Sequence, residues 1–326
     1  MTRSSSTACA ILFFSLLPGA LFGAPYTVIT YNLGLLRVFG SDLVPAVDAR
    51  TAAAPRALSA FVARVSPQVM LLEEVWEDTA ADAITKELTP LGYAATRPGI
   101  HGILGLGSGL LLFVKAPLRV TDWTFTPFAH TTFTDSFVRK GVLGATVTDV
   151  DTGVRFALIG THTVALDTKN GTPTERGQVD AIMSQADQIH AAVTARSVHG
   201  QLPALLLGDF NVGPGYADAA YRKIASLDGL RESGDVIYPG APLVTWDPGN
   251  PLVKNGNYPN EPAAKIDHIF VRDGGSMRWN PVAARADMSD PVAGLVFTPK
   301  GGASPIPTPL SDHYAFVADV ELSAAP

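Results

Sequence analysis

Short apolar segments recur along almost the whole chain, and helical patterns separate several of them. These segments predict strands over residues 26–31, 69–72, 109–114, 142–147, 154–160, 204–207, 266–271 and 314–322. Helical spacing of apolar residues predicts helices over residues 52–65 and from residue 175 to about 196. Alternating strands and helices are typical of α/β proteins, so we expect one α/β domain over residues 25–326.

The first 24 residues have the pattern of a signal peptide. Arg3 supplies a positive charge, residues 10–17 form an apolar run too short to span a bilayer, and Pro18 ends that run. We therefore expect removal of residues 1–24 and a secreted or periplasmic protein; a buried N-terminal helix or an uncleaved anchor is the alternative. The single cysteine, Cys9, lies in this segment, so the mature protein would have no disulfide, no cysteine-ligated metal and no cysteine nucleophile.

The composition is that of a globular protein with a sizeable core. The 326 residues are 47% hydrophobic and 17% charged, which excludes global disorder. The formal net charge of −6 counts against a non-specific nucleic-acid binder, although a local basic groove is compatible with an acidic total. Stretches rich in glycine and proline near residues 95–108, 240–263 and 290–310 predict long loops, which in compact domains are usually functional or poorly ordered.

Polar residues stand at the ends of the predicted strands. They are Asn32, Glu74, His162, Asp209, Asn211, Asp267, Asp312 and His313. Because α/β sheets build ligand sites at strand ends, these carboxylates, amides and two histidines could converge at one edge.

Such a set of side chains suits the hydrolysis of a phosphate diester. The reaction needs a metal ion to neutralise phosphate oxygens, and Mg²⁺ prefers carboxylate and amide oxygens and water. It also needs a base to activate water, and a histidine oriented by a carboxylate has a suitable pKa. An asparagine amide or a protonated histidine can stabilise the charge that develops on the phosphate.

Read in order, seven segments resemble the endonuclease/exonuclease/phosphatase superfamily, whose members include DNase I. They are TYNLGLL, PQVMLLEEVW, GSGLLLFVKAPL, GTHT, LLLGDFNVGPG, KIDHIFV and LSDHYAFVADV. Short strings such as GDFN recur by chance, but the ordered set is specific and covers roughly residues 26–322. The resemblance implies a four-layer α/β sandwich, in which two mixed β-sheets pack face to face and helices flank them.

The resemblance also implies the ligands of a metal ion. Glu74 matches the glutamate that binds Mg²⁺, for which Mn²⁺ or Co²⁺ could substitute, and Asn32 matches the asparagine near this ion and the substrate phosphate. Asp312 is expected to help hold metal or water. Where the family commonly has Gln-Glu, this chain has Glu73 before Glu74. Strand alternation predicts that Glu73 faces the other side, and tighter metal binding is the alternative.

The remaining matches concern proton transfer and the phosphate. His313 matches the general base, and Asp267 matches the aspartate that orients it. Asp209 and Asn211 match a pair that positions the water or the leaving group and contacts the phosphate. His162 matches a histidine that contacts the phosphate and assists the leaving group. The resemblance therefore implies in-line attack by water, without a covalent intermediate.

Within the superfamily the chain most resembles the neutral sphingomyelinases. Residues 135–143 (DSFVRKGVL) contain Lys140 before a glycine, with Asp135 upstream, and residues 44–50 (VPAVDAR) match this branch more loosely. The resemblance implies hydrolysis of sphingomyelin to ceramide and phosphocholine, with Lys140 in contact with the phosphate. A lysine that is merely solvated at a strand end is the alternative.

The partner of such an enzyme is a phospholipid or sphingolipid at a membrane surface, where an apolar loop beside the site would help docking. Residues 294–297 (GLVF) and 123–128 are two candidates, and ordinary core packing is the competing explanation for both. Trp246 and Asp247 could contact a choline group or form a structural turn.

Three other functions are compatible with the same residues. A secreted nuclease would cleave DNA with a metal ion and release no ceramide, although the acidic charge makes nucleic acid the less favoured partner. A phosphatase would act on inositol phosphates or other small phosphoesters. A non-catalytic binding module on the same fold would have lost site residues, whereas this chain has all of them. No sequence feature indicates a protein partner.

Overall fold

The computed structural model describes residues 25–325 except residues 39, 103–104, 133, 170–171, 257–259 and 300–303. The predicted signal peptide lies outside this part of the chain, so its removal and the export of the protein stay predictions. Within the described residues, no helix is long and apolar enough to cross a bilayer.

Two six-stranded sheets form the centre of the described structure. Their strands are β1 (Tyr26–Asn32), β2 (Val69–Glu73), β3 (Tyr93–Thr96), β4 (Leu111–Lys115), β5 (Leu118–Pro127), β6 (Gly141–Asp149), β7 (Arg155–His162), β8 (Ala204–Asp209), β9 (Leu230–Glu232), β10 (Asp267–Arg272), β11 (Met277–Asp287) and β12 (Ala315–Ala324). The first sheet has the order β11–β12–β1–β2–β4–β3, and the second has the order β9–β10–β8–β7–β6–β5. Two-residue strands form three small ladders outside these sheets: Arg37–Val38 with Ser41–Asp42, Thr168–Lys169 with Thr172–Pro173, and Val296–Phe297 with Ile306–Pro307.

Each sheet has a parallel pair of strands at its centre. β1 is parallel to β2, and β7 is parallel to β8, whereas the other described pairings within the two sheets are antiparallel. A parallel pair needs a crossover connection, which helix α1 (Val47–Val65) supplies for the first pair and helix α3 (Arg176–Arg196) for the second. Both faces of these central strands are covered, and β2 is buried throughout its length.

Buried apolar clusters define four layers. The cluster between the sheets contains side chains from both of them, among them Val28 and Leu71 from the first sheet and Leu158 and Leu207 from the second. Helices α1 and α2 (Asp78–Leu88) pack on the outer face of the first sheet, and α3 and α4 (Asp218–Ala225) pack on the outer face of the second. The predicted four-layer α/β sandwich is therefore confirmed. Short helices occupy several connections: α5 (Ser233–Ile237), α6 (Pro251–Lys254) and the 3₁₀ turns Thr89–Leu91 and Thr134–Phe137.

The sequence predicts the eight central strands and misses β3, β5, β9 and β11, which are the four edge strands. Edge strands have a partner on one side only, and most residues of β5 are exposed or half-buried, so the apolar pattern there is weak. Helix α1 begins at Val47 rather than at residue 52. Its N-cap residue, Ala46, makes no side-chain capping bond, so no capping residue marks this start in the sequence.

The two segments considered for membrane docking have mixed environments. Leu295 and Phe297 are buried, so core packing explains these two residues, whereas Val296 between them is 46% exposed. On the edge strand β5, Trp123 is 42% exposed, and Phe128 just beyond the strand is buried. Val296 and Trp123 are therefore the large apolar side chains of these segments that solvent or a lipid surface can reach.

Candidate active site

The carboxyl ends of the two parallel strand pairs meet at one edge of the sandwich. Asn32 is the last residue of β1, and its Nδ2 donates a hydrogen bond of 2.8 Å to Oδ2 of Asp209, the last residue of β8 in the other sheet. His162 ends β7 and lies in register with Asp209, which is also aligned with Asp267 at the start of β10. His313 stands just before β12. The predicted residues are therefore brought together because six central strands begin or end here.

His313 and Asp267 form a hydrogen-bonded pair. Nδ1 of His313 donates to Oδ2 of Asp267 at 2.9 Å, and its Nε2 lies 3.8 Å from Oδ2 of Asp209. The indole ring of Trp246 packs edge-on against the imidazole, with 5.1 Å between the ring centroids. Burial alone lowers the pKa of His313, but the negative charges of Asp267 and Asp209 outweigh burial and raise this pKa well above its usual value.

Asp209 lies at the centre of the site and is bonded on both oxygens. Oδ2 accepts from Asn32, and Oδ1 accepts from the backbone N–H of Asn211 at 2.8 Å. One ligand atom from each of Asp209, Asp267 and His313 lies within 4.8 Å of the others, a spacing that could hold a metal ion. Burial, and then the charge of Asp267, raise the pKa of Asp209, and a nearby cation would relieve this repulsion.

Glu74 directly follows β2 and completes the first-sheet side of the site. Its Oε1 accepts a hydrogen bond of 3.2 Å from Nδ2 of Asn32. Burial raises the pKa of Glu74, the charge of Lys140 lowers it, and the charge of Asp312 raises it. Buried carboxylates of like charge favour a bound cation, and oxygen donors suit Mg²⁺. The residues thus fit a divalent ion, and its binding by Glu74, Asn32 and Asp312 stays a prediction.

Glu73 lies on the same face of the first sheet as Asn32, its register partner, in the space between the two sheets. It is fully buried, and its Oε1 accepts a hydrogen bond of 2.5 Å from the hydroxyl of Thr30. Burial raises the pKa of Glu73 well above its usual value and so favours its uncharged form. That Glu73 and Glu74 face opposite sides stays a prediction, because Glu74 lies beyond the end of β2 in a left-handed conformation.

Lys140 and His162 form a second buried pair. Nζ of Lys140 donates to Nε2 of His162 at 3.1 Å and to the carbonyl of Thr163 at 2.9 Å, and it lies 3.0 Å from Oδ1 of Asp135. These partners take up the three donors of the ammonium group. Burial and the charge of Lys140 hold the pKa of His162 well below its usual value, so this imidazole is neutral. Contact between Lys140 and a substrate phosphate stays a prediction.

Two site residues have left-handed backbone conformations, which are uncommon for residues other than glycine. Glu74 has a φ of 57° and Asn211 a φ of 53°. Each follows the second strand of a parallel pair, where the chain leaves the sheet. Nδ2 of Asn211 also donates to the carbonyl of Thr163 at 3.2 Å, which ties this loop to the end of β7.

The site opens into a cavity of about 380 Å³. Its polar lining includes Glu74, Lys140, Asp209, Asn211, Asp312 and His313. The apolar and aromatic side chains that line it are Leu36, Leu43, Val44, Trp76, Phe137, Leu166, Tyr216, Trp246, Leu252, Val253 and Ile266. Asn32, His162 and Asp267 are buried behind the polar lining.

Three further residues near the site motifs are His268, Trp246 and Asp247, and only Trp246 contacts a predicted site residue as well as the cavity. His268 faces the outer side of its sheet and donates from Nε2 to the carbonyl of Val212 at 2.8 Å, so it is not part of the site. Asp247 accepts from the N–H of Gly249 at 2.7 Å, which is the turn expected as the alternative to choline binding. Trp246 both packs on His313 and lines the cavity.

The sequence does not single out two residues that contact the site. Trp76 packs against His162 with 5.9 Å between ring centroids, and its Nε1 lies 3.4 Å from Oε2 of Glu74. Arg50 is fully buried behind Asn32 and Asp312. A signal exists for each: a tryptophan two residues after Glu74, and an arginine within an alanine-rich helix.

The chain belongs to the Endonuclease/Exonuclease/phosphatase family, whose model matches residues 29–313. Members of this family hydrolyse phosphoesters, mostly with a divalent metal ion, and this chain is accordingly a phosphoesterase by family. No curated protein matches the sequence.

Solved structures with the same fold have different substrates in their names. Sphingomyelinase C from Streptomyces griseocarneus has a TM-score of 0.68 at 19% identity, over 91% of this chain and 99% of that chain. A beta toxin mutant from Staphylococcus aureus with bound magnesium ions has a TM-score of 0.68 at 16% identity, with the same coverage. TDP2 from D. rerio in complex with a single-strand DNA product has a TM-score of 0.65 at 15% identity, again over 91% and 99%. At these identities, the similarity shows the fold alone.

Proposed function

We propose that this phosphoesterase is a Mg²⁺-dependent phosphodiesterase of lipids, and that it hydrolyses sphingomyelin to ceramide and phosphocholine. The composition of the cavity is the observation that carries this proposal. Carboxylates and His313 line the cavity together with a larger number of apolar and aromatic side chains. Such a cavity suits a phosphate that is attached to an apolar or zwitterionic group, and about 380 Å³ is in the range of small-molecule sites.

The charge around the cavity disfavours a nucleic acid as the substrate. Lys140 is the only lysine or arginine among the described residues that line it, and Asp135 and His162 already hold its ammonium group. Nucleic-acid binding depends on several basic contacts to phosphates, and the chain as a whole has a net charge of −6. The apolar lining also disfavours a small, highly charged phosphate ester such as an inositol phosphate.

In the proposed reaction, Nε2 of His313 takes a proton from the attacking water, and the neutral form of this imidazole is the one that acts. The hydrogen bond from Nδ1 to Asp267 keeps the imidazole oriented and stabilises its positive charge. The oxygen of the water forms the new bond to phosphorus, the bond to the ceramide oxygen breaks, and that oxygen takes up a proton from solvent. A bound Mg²⁺ supplies positive charge to the phosphate oxygens. Asp209, with both oxygens held, orients the water or the leaving group.

The proposal includes access to a lipid surface and export from the cell. Leu43 lines the cavity and is 39% exposed, so apolar surface continues from the site toward solvent. Val296 and Trp123 are further exposed apolar side chains for docking. Export through residues 1–24 is tested by N-terminal sequencing of the protein recovered outside the cytoplasm, where an intact Met1 would contradict removal of the segment.

Parallel assays on lipid and DNA test the proposed function. Purified mature protein with Mg²⁺ is expected to release phosphocholine from sphingomyelin liposomes and to leave plasmid DNA intact. Excess EDTA is expected to stop the release, and added Mg²⁺ is expected to restore it. DNA nicking without lipid cleavage would make the protein a nuclease. Full lipid cleavage in EDTA would rule out the metal-dependent reaction.

A further inference from the structure

Arg50 is a buried cation whose direct partners are all backbone carbonyls. The side chain has no exposed surface. Its donors reach the carbonyls of Leu33 at 2.6 Å, Gly34 at 2.6 Å, Pro45 at 2.9 Å, Leu310 at 3.3 Å and Val44 at 3.4 Å. The five N–H donors of the guanidinium are thus used, and no carboxylate among the described residues forms an ion pair with it.

Three of the five carbonyls that bind Arg50 belong to segments that carry candidate site residues, and the other two, of Val44 and Pro45, precede its own helix. Leu33 and Gly34 directly follow Asn32, and Leu310 shortly precedes Asp312 and His313. Neighbouring bonds join the same two segments, because the hydroxyl of Ser311 donates to the carbonyl of Asn32 at 2.6 Å. The guanidinium therefore connects the segment after β1 to the segment before β12.

The charge of Arg50 also faces the first-sheet side of the site. At Gly34, whose φ is 59°, a Cβ atom would lie 2.5 Å from Oδ1 of Asp312 and 3.5 Å from Nη1 of Arg50. The carboxylate and the guanidinium thus flank the backbone of Gly34. Burial lowers the pKa of Arg50, and the nearby charges of Asp312 and Glu74 act in the opposite direction and favour its charged form.

We propose that Arg50 is a positioning residue of the phosphoesterase reaction, which holds the Asn32 segment and the Asp312–His313 segment in their relative positions. This inference rests on the proposed function only in that the site hydrolyses a phosphoester. The planar fork of donors makes arginine suited to bridge two backbone segments, and a lysine has one ammonium group that cannot span them in the same way.

Substitution of Arg50 tests this role with a matched arginine as the control. Arg50→Met is expected to lower kcat on bis(4-nitrophenyl) phosphate by about 100-fold and to change KM by less than about threefold, because small displacements of catalytic groups have effects of that size. Arg50→Lys is expected to lower kcat by about tenfold. The control is Arg272→Met. Arg272 donates to the carbonyl of Asp228 at 2.9 Å and ends β10 at the far end from Asp267. Its kcat is expected to stay within about twofold of wild type.

Proton NMR of the substrate-free protein gives a readout that a purely structural residue would leave unchanged. The Nδ1 proton of His313, bonded to Asp267, is expected to give a downfield resonance that disappears in His313→Ala. In Arg50→Lys and Arg50→Met this resonance is expected to shift or broaden, and in Arg272→Met it should not change. The measurement needs no substrate, so it tests Arg50 even if the wild-type protein cleaves neither lipid nor the synthetic diester.

The outcomes separate positioning from folding. Wild-type kcat and an unchanged resonance in Arg50→Lys would overturn the proposal. It would also be overturned if each Arg50 variant lost activity only in proportion to its unfolded fraction. If Arg50→Met does not fold, Arg50→Lys alone tests the proposal, since this variant keeps the buried positive charge and loses the planar set of N–H donors.

Discussion

Two buried cations lie behind the candidate site, one in each half of the sandwich, and they are neutralised in different ways. Lys265, two residues before Asp267, is fully buried and contacts Oε2 of Glu232 at 2.6 Å and Oδ1 of Asp235 at 2.5 Å. Arg50, in the first-sheet half, has carbonyl partners only. The positive charge of Lys265 is therefore balanced by its own partners, whereas Arg50 has no carboxylate partner in the described part of the chain and its charged form is favoured only by charges at longer range, among them Asp312, Glu74 and Asp42.

Because of this difference, we expect Lys265 to contribute mainly to the stability of the fold and Arg50 mainly to the geometry of the site. Removal of Lys265 leaves two carboxylates without their partner, one of them fully buried, so the cost falls on the folded state. Removal of Arg50 leaves carbonyls that can be reached by rearranged backbone or water, so the cost falls on the geometry of the site. The second-sheet network also supports the loop of Asn211, because His268, 3.8 Å from Glu232, donates to the carbonyl of Val212.

The largest loss of kcat is expected for substitution of the proposed base, His313, rather than of either buried cation. The losses expected for the two cations are compared with it. His313→Ala is expected to lower kcat by about 10²–10⁴-fold, since this is the usual contribution of a general base. The variant loses the buried partner of Asp267, so kcat should be measured per folded molecule and with saturating Mg²⁺. More than about a tenth of wild-type activity would contradict the role of His313.

Lys265→Met should lose more stability than Arg50→Met, and less activity per folded molecule. The expected loss of unfolding free energy is about 3–5 kcal/mol, which is typical when one partner of a buried ion pair is removed. Urea unfolding of both variants shows which one is less stable, and kcat measured on the same samples shows which one is less active. If Arg50→Met is the less stable variant and Lys265→Met the less active one, the assignment of Lys265 to stability and of Arg50 to positioning is wrong.

The Lys265 network should depend on pH because Glu232 must be ionised. Burial raises the pKa of Glu232, but His268 and Lys265 outweigh burial and lower this pKa below its usual value of 4.5. Its ionised form therefore stabilises the fold above that pH, and this stabilisation is lost as the pH falls further. Glu232→Gln should cost about 1.5–3 kcal/mol at neutral pH. The difference from wild type in urea unfolding should shrink in acid, and a constant difference would show that Glu232 is not the titrating group.

The smallest effect is expected at Gly34, on the Arg50 side. Gly34→Ala should cost about 1–2 kcal/mol from its left-handed backbone. Its Cβ would also displace Asp312, so kcat should fall by about tenfold. Gly40→Ala is the matched control, because Gly40 has a φ of 78° and nothing lies within 4 Å of its Cβ position. Equal kcat values for the two variants would show that the contact with Asp312 does not matter.

Central strands and site residues could be predicted because each is encoded locally. A strand covered on both faces is a continuous apolar run, and the polar residue that ends it stands out, as Asp209 does after ALLLG. Edge strands such as β5 lack that contrast because much of their surface meets solvent. The register of the sheets then brings the predicted residues together without further sequence information.

The long-range contacts of the supporting residues could not be predicted, because these partners are distant in sequence. Arg50 is bonded to Leu310, which is 260 positions away, and Lys265 to Glu232, which is 33 positions away. Neither pair leaves a periodic pattern. Lys140 shows the same limit, since its motif suggests a phosphate contact while the fold surrounds it with Asp135 and His162.

The position of β12 between β1 and β11 has a consequence for how the protein becomes active. Thr27 in β1 bonds to Asp319 in β12, although 292 positions separate them. A chain still being synthesised can have β1, β2 and Glu74 in place, but β1 has an open edge and His313, the proposed general base, is missing. Insertion of β12 closes that edge and delivers Asp312 and His313 in the same step. The closed edge of β1 and the position of the proposed base therefore both depend on the pairing of the two ends of the domain.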